Sequence, residues 1–318
     1  MAPVVKRALI TGINGQDGHY LSRLLLGKGY EVVGLSRRAS ALPEMANVRR
    51  VDGDITDRRL LSRLFDEWSF DEVYNLAGSS FGPRSWDDPL AACEVLGVAV
   101  VALLEILRKS GRGKLFQASS SELFGLTAVV PQDERTPFDP VSPYGAAKLL
   151  AHSAVAAYRR EWGVFGCSGI LFNHESPLRR PEFVTRKVTR GAAAIRLGLA
   201  SELRLGNLAV RRDWSFAGDV AEAMWRMLQA DVADDFVIAR GTSHTVRDLC
   251  EVAFSHAGLD YRQYVVEDPS LVRPMDFDRR GDPAKARRVL GWTPTVSFEE
   301  LVRMMVDADL EEITKSGC

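Results

Sequence analysis

Three glycines at intervals of three, Gly12, Gly15 and Gly18, separate a short apolar run, Val4–Thr11, from an amphipathic segment with Tyr20, Leu21, Leu24 and Leu25 at helical spacing. Strand, glycine loop and helix in that order make a cradle for a pyrophosphate. Backbone can approach closely where side chains are absent, and the N–H groups at the helix start meet the negative charge. A tight strand-to-helix turn without a ligand would use the same residues. A second strand follows directly, which favours nucleotide binding and makes Gly12, Asn14, Gly15, Gln16, Asp17 and Gly18 candidate cofactor contacts.

That second strand, Tyr30–Ser36, ends in Arg37 and Arg38, where a free ribose 2′-hydroxyl would usually meet Asp or Glu. Two guanidinium groups suit a 2′-phosphate, so NADP is expected rather than NAD; a solvated basic loop end is the alternative. A third strand, Val48–Val51, delivers Asp54 and Ile55 to where an adenine edge can be read. A helix through Leu60, Leu61, Leu64 and Phe65 leads to a fourth strand, Glu72–Gly78, with Leu76, Ala77, Ser79 and Ser80 at its end. Helix 89–110 and strand Lys114–Ala118 continue the alternation, which predicts an α/β fold with a doubly wound parallel Rossmann sheet.

Beyond about residue 170 the pattern loosens: helix 183–199, helix 220–229, strand 236–239, and helices near 245–257 and 298–313. The expected division is a dinucleotide-binding domain over 1–170, rejoined by 207–240, and a smaller substrate lobe over most of 171–318.

The 41 Lys and Arg against 42 Asp and Glu leave a net charge of −1, no electrostatic reason to expect nucleic acid or an anionic membrane as partner. No stretch reads as the ~18 apolar residues of a membrane span. Cys93, Cys167, Cys250 and Cys318 form no Cys-x-x-Cys pair, so neither a zinc site nor a disulfide framework is expected, and a cytoplasmic protein is. His174 has no second ligand at metal-binding spacing, and no metal is expected.

The chemistry gathers at Gln117–Glu122 and Tyr144–Lys148. Ser142-Pro143 is a helix opening, which puts Tyr144 and Lys148 at i and i+4 on one face. A phenol ionises near ~10, and an ammonium one turn away is expected to lower that value and make Tyr144 a base. An ordinary helix face with a half-buried ring and a solvated amine is the plain alternative. The strand before Ser119, Ser120 and Glu122 ends at the carboxyl edge of the sheet, where ligands of such sheets bind, so loop, serines, carboxylate and tyrosine helix should converge.

These features together resemble the extended short-chain dehydrogenase/reductase superfamily. Gln117–Gly125, Ser142-Pro143-Tyr144-Gly145, Gly169–Pro177, Phe183–Lys187 and Arg212-Asp213-Trp214 resemble, more narrowly, the GDP-mannose 4,6-dehydratases, over residues 7 to about 307. The resemblance implies that Tyr144 takes the sugar 4-hydroxyl proton as hydride passes from C4 to NADP+. Lys148 holds the nicotinamide ribose, Ser120 polarises O4, and Glu122 removes the C5 proton and helps expel the 6-hydroxyl. It implies cofactor contacts at His174 and Arg179, and nucleotide-sugar contacts at Ser80, Asn173, Lys187, Arg212, Arg273 and Asp276.

Glu122 could instead be a salt-bridged loop residue. A 4-reductase or 4-epimerase, a dehydratase for another GDP-sugar such as a GDP-heptose, or a cofactor-sensing regulator would share the fold. The family usually has Thr where Ser120 stands and Glu where Asp276 stands, and Ala77–Ser85 departs from its pattern. The segment 39–46 is shorter than the family's intersubunit loop, so a homodimer is expected, with a homotetramer the further option.

Overall fold

A computed structural model describes residues 5–39, 47–80, 82–272 and 278–316. Its centre is seven parallel strands: β1 Arg7–Thr11, β2 Glu31–Ser36, β3 Val48–Asp52, β4 Glu72–Asn75, β5 Lys114–Ala118, β6 Gly166–Leu171 and β7 Phe236–Ile238. They lie in the order β7-β6-β5-β4-β1-β2-β3. Inner strands read as continuous apolar or small runs because both faces are covered; every residue of β6 is buried. The order turns back between β1 and β4, which opens a crevice at the carboxyl edge.

The helices are α1 Gln16–Gly27, α2 Arg58–Glu67, α3 Pro89–Ser110, α4 Pro143–Trp162, α5 Val184–Arg196, α6 Ala217–Gln229, α7 Val246–His256, α8 Ala284–Leu290 and α9 Phe298–Ser316. One face of the sheet is covered by α1 and α6, whose Leu21, Leu25, Val220 and Met224 share a cluster with Ile10 and Phe116. The other carries α2, α3 and α4, packed on Leu9, Val73 and Leu115. Both β7 and α6 join this body, although they come late in the chain.

By length and mean hydropathy, 2.4 over its most apolar window, α3 passes for a membrane span, so the expectation that no stretch does is corrected. Packing gives the reason: Ala99, Val100, Leu103, Leu104 and Leu107 are core residues.

A second core, built from α5, α7 and α9, holds Val188, Leu249, Phe254 and Val302. Its strands are two or three residues long, Leu203–Leu205 beside Val265–Glu267 and Arg211–Arg212 beside His244–Thr245. Charge fastens it: the fully buried Asp309 of α9 accepts from Arg186 Nε and Thr189 Oγ1 of α5, each at 2.6 Å.

Candidate active site

The cofactor side is made of backbone. Gly12, at φ +73°, lies so close to the next strand end that a Cβ would meet the Leu76 carbonyl group at 2.8 Å; a Cβ on Gly18 would meet the Ile13 oxygen at 2.5 Å. Gly15 caps α1 without a side-chain bond, so the first-turn N–H groups stay available to a ligand.

The Gln16 and Asp17 side chains turn into the protein. Gln16 Nε2 donates to the His174 carbonyl at 3.0 Å, and Gln16 Oε1 accepts from Ser176 Oγ at 2.7 Å. Both Asp17 carboxylate oxygens lie 3.0 Å from His174 Nε2, and the Phe172 carbonyl lies 2.8 Å from Nδ1. Both partners are acceptors, so the contacts favour an imidazolium that donates from both ring nitrogens. Burial opposes that charge, but the Asp17 carboxylate outweighs it and holds His174 above the ordinary histidine value.

Gly12, Asn14, Gly15, Gln16, Asp17 and Gly18 line a cleft of about 940 Å³, with Leu76, Ala77, Ser79 and Ser80 along its floor. Arg37, Arg38, Asp54 and Ile55 stand at the ends of β2 and β3, outside that lining. Arg38 lends its carbonyl to Asn14 Nδ2 at 2.7 Å, the Asp54 carboxylate accepts from the Thr56 N–H at 2.9 Å, and Ile55 belongs to the core.

The tyrosine helix opens as its sequence predicts: Ser142 Oγ accepts the Gly145 N–H at 3.1 Å, with Pro143 in the first turn. The Tyr144 N–H donates to Ser85 Oγ at 3.1 Å, a buried hydroxyl that sequence reasoning did not single out. Lys148 Nζ donates to the Ala118 carbonyl at 2.6 Å. A buried ladder supports that carbonyl: Thr11 Oγ1 donates to Asn75 Oδ1 at 2.6 Å, Asn75 Nδ2 to Gln117 Oε1 at 2.7 Å, and Gln117 Nε2 to Ala118 O at 2.9 Å.

Burial pushes Lys148 down to about 8, opposed by Asp17. Burial pushes Tyr144 up to about 12, against the pull of the Ser120 hydroxyl. The expected lowering of the tyrosine by its lysine is therefore reversed by burial. The ammonium is 5.7 Å from the ring centroid and bonded to a carbonyl, so desolvation of the phenolate dominates.

Facing these groups is a wall of charged side chains. Ser120 Oγ accepts the Glu122 N–H at 3.2 Å, and the Glu122 carboxylate accepts from Arg279, both side chains lining the cleft. The cleft also takes in Asn173, His174, Lys187, Arg212 and Arg179, the last ion-paired to Glu175 at 3.0 Å. Arg273 and Asp276 lie outside the described residues. Arg279 was not foreseen: it sits 157 residues from Glu122 and carries no motif.

The glycine loop and the open α1 terminus fit a dinucleotide with its phosphates on the loop. With Tyr144 and Lys148 at the adjoining sheet edge, fold and site together define an epimerase/dehydratase of the extended short-chain dehydrogenase/reductase superfamily. Residues 9–305 match the family model for GDP-mannose 4,6 dehydratase. GDP-mannose 4,6 dehydratase 2 of Arabidopsis thaliana is 48% identical over 96% of this chain and 87% of its own length. The chain belongs to the GDP-mannose 4,6 dehydratase family. Among solved structures, RMD from Pseudomonas aeruginosa complexed with NADPH superposes with a TM-score of 0.84 at 25% identity, covering 97% of this chain and 100% of that one. A dTDP-glucose 4,6-dehydratase from Streptomyces venezuelae with NAD bound gives 0.84 at 25%, covering 97% and 98%.

Proposed function

We propose that the protein, a hydro-lyase, converts GDP-mannose to GDP-4-keto-6-deoxymannose with NADP as cofactor. The observation that carries this reading is a carboxylate, Glu122, in one cleft with Ser120, Tyr144 and Lys148. Oxidation or epimerisation at C4 needs no group at C5, whereas elimination of water across C5 and C6 needs a base there. A nicotinamide cofactor supplies the hydride acceptor for C4 and the donor for C6, ending a turnover unchanged.

The rest falls to the protein's own groups. Tyr144 takes the O4 proton once its own has gone to solvent, and the Ser120 hydroxyl, which already pulls the phenol downward, gives its one O–H to the phenolate and then to O4. The Glu122 carboxylate removes the C5 proton, made acidic by the C4 ketone, and passes it to the departing 6-hydroxyl; as C6 takes hydride, C5 takes a proton from solvent, and Tyr144 gives up the O4 proton to solvent. Lys187, Arg212 and the start of α5, which has no side-chain cap, offer positive charge to the diphosphate. His174 and Arg179 close the cofactor side.

The choice of NADP rests on Arg37 and Arg38. A homodimer working in the cytoplasm completes the proposal, with exposed Leu90 and Val98 of α3 and Leu150 of α4 as the apolar face that a second copy would cover.

Turnover of GDP-mannose in D2O with NADP, and in parallel with NAD, tests the reading. The expected product is a 4-keto-6-deoxy sugar carrying solvent deuterium at C5, formed faster with NADP. Bound cofactor without any product would sink the GDP-mannose assignment.

A further inference from the structure

Glu122 does not face the cleft alone. Arg279 donates from Nη1 to Glu122 Oε1, and its side chain is 13% exposed against 37% for the glutamate. The arginine is delivered by pinned backbone. Its carbonyl accepts the Asp213 N–H at 3.1 Å, and it bridges to Arg212. The Gln132 N–H donates to Arg280 O at 2.9 Å, and the Asp282 N–H to Gln132 O at 2.8 Å. The fully buried Asp213 carboxylate in turn accepts the Arg240 and Gly241 N–H groups at 2.8 Å each. Among the described residues lining the cleft, the other carboxylates are engaged elsewhere, Asp17 with His174 and Glu182 with Arg84.

Resting on the dehydratase reading, we propose that Arg279 is a positioning residue for the C5 base, holding Glu122 Oε1 so that Oε2 is the oxygen presented to the sugar. A glutamate tethered at one oxygen loses the rotation that would swing the other out of line, and a base displaced by 1 Å can cost ~10²-fold in rate. The pairing also suits the second half of the step. The C5–H bond breaks with its proton going to Oε2, and its electron pair becomes the C5–C6 double bond. The C6–O6 pair leaves with the oxygen, which takes the proton from Oε2 as water. While Glu122 is neutral its attraction to the guanidinium is weakened, so returning the proton restores the full ion pair.

The test uses the full chain with cofactor bound. Arg279→Met is expected to lower kcat about 30- to 100-fold, with KM for GDP-mannose changed by less than about threefold and NADPH binding intact. Arg279→Lys should recover at least about a third of that loss on a logarithmic scale, and Arg279→Gln serves if the Met variant does not fold. In a Glu122→Gln background, Arg279→Met should have no further effect on residual elimination, because the two act as a unit. A raised KM with unchanged kcat, or additive losses, would overturn the proposal and make Arg279 a substrate-holding group. Active wild type with an unaltered Met variant overturns it alone; inactive wild type that binds NADPH overturns the dehydratase reading together with it.

Discussion

Among the described residues two long cations are buried, Arg186 and Lys148, and the fold treats them oppositely. Arg186 in α5, 5% exposed, meets two carboxylates, Asp309 and Glu312, each at 2.6 Å. Lys148 in α4, 7% exposed, meets the Ala118 carbonyl, and burial brings its pKa to about 8. A paired charge is a fastening. A charge with only dipoles in hydrogen-bond reach stays adjustable, and that is the one placed beside Tyr144. The contrast separates what holds the lobe together from what the cleft works with.

The largest effect should come from breaking the paired side. Asp309→Ala leaves Arg186 buried beside Glu312, whose side chain is half exposed. Removing one partner of a buried pair costs about 3–5 kcal/mol, and urea unfolding should show a loss of that size. A loss below about 1 kcal/mol would mean that water reaches Arg186 and that the contrast with Lys148 is false.

The unpaired side predicts a pH dependence of the opposite kind. Because the folded pKa of Lys148, about 8, lies below its ordinary 10.5, the unfolded chain binds more protons between those values. Stability therefore rises with pH across that window; the cost of burying the ammonium is fully present below about 8 and gone above 10.5. The whole span is worth roughly 3 kcal/mol, of which roughly 2 appears by pH 9.5, before Tyr144 contributes. Denaturant titrations of the cofactor-free protein from pH 7.5 upward should show this slope in the wild type and a flatter one in Lys148→Met. Parallel slopes would show that the ammonium has a solvent route or a counter-charge.

The two sides also differed in how readily they could be read in advance. The glycine loop, the β-α alternation and the Ser142-Pro143 opening of α4 are local patterns, and each is a local fact of the structure. The pair Tyr144 and Lys148 was legible by spacing, but the direction of the tyrosine's pKa was not, because burial depends on Leu96, Ala147 and other residues packed around the ring. The partners that matter come from far along the chain: Ser85 under the Tyr144 N–H, Asp17 on His174, Arg279 on Glu122. Charged residues spaced over a hundred positions apart leave no periodic trace. The lobe strands, two or three residues long, are too short to show alternation. In α3, which the alternation already places as a helix of the sheet, core-packed residues share a helix with the hydropathy of a membrane span.

The smallest effect gives the finest test, because Lys187 lies on α5 between the two residues that bind Asp309. Thr189 Oγ1 donates to Asp309 Oδ2 at 2.6 Å, while Arg186 holds Oδ1. Thr189→Val keeps the shape and the salt bridge and removes one donor from a buried carboxylate, a loss of about 1–2 kcal/mol. If the fastening serves only the lobe, thermal stability falls while kcat and the KM for GDP-mannose stay as they were. A KM that rises with kcat unchanged would mean that α9 sets the position of α5, and so of Lys187, which lines the cleft. The paired cation would then belong to substrate binding, and the division between fastening and working charge would have to be redrawn through α5 itself.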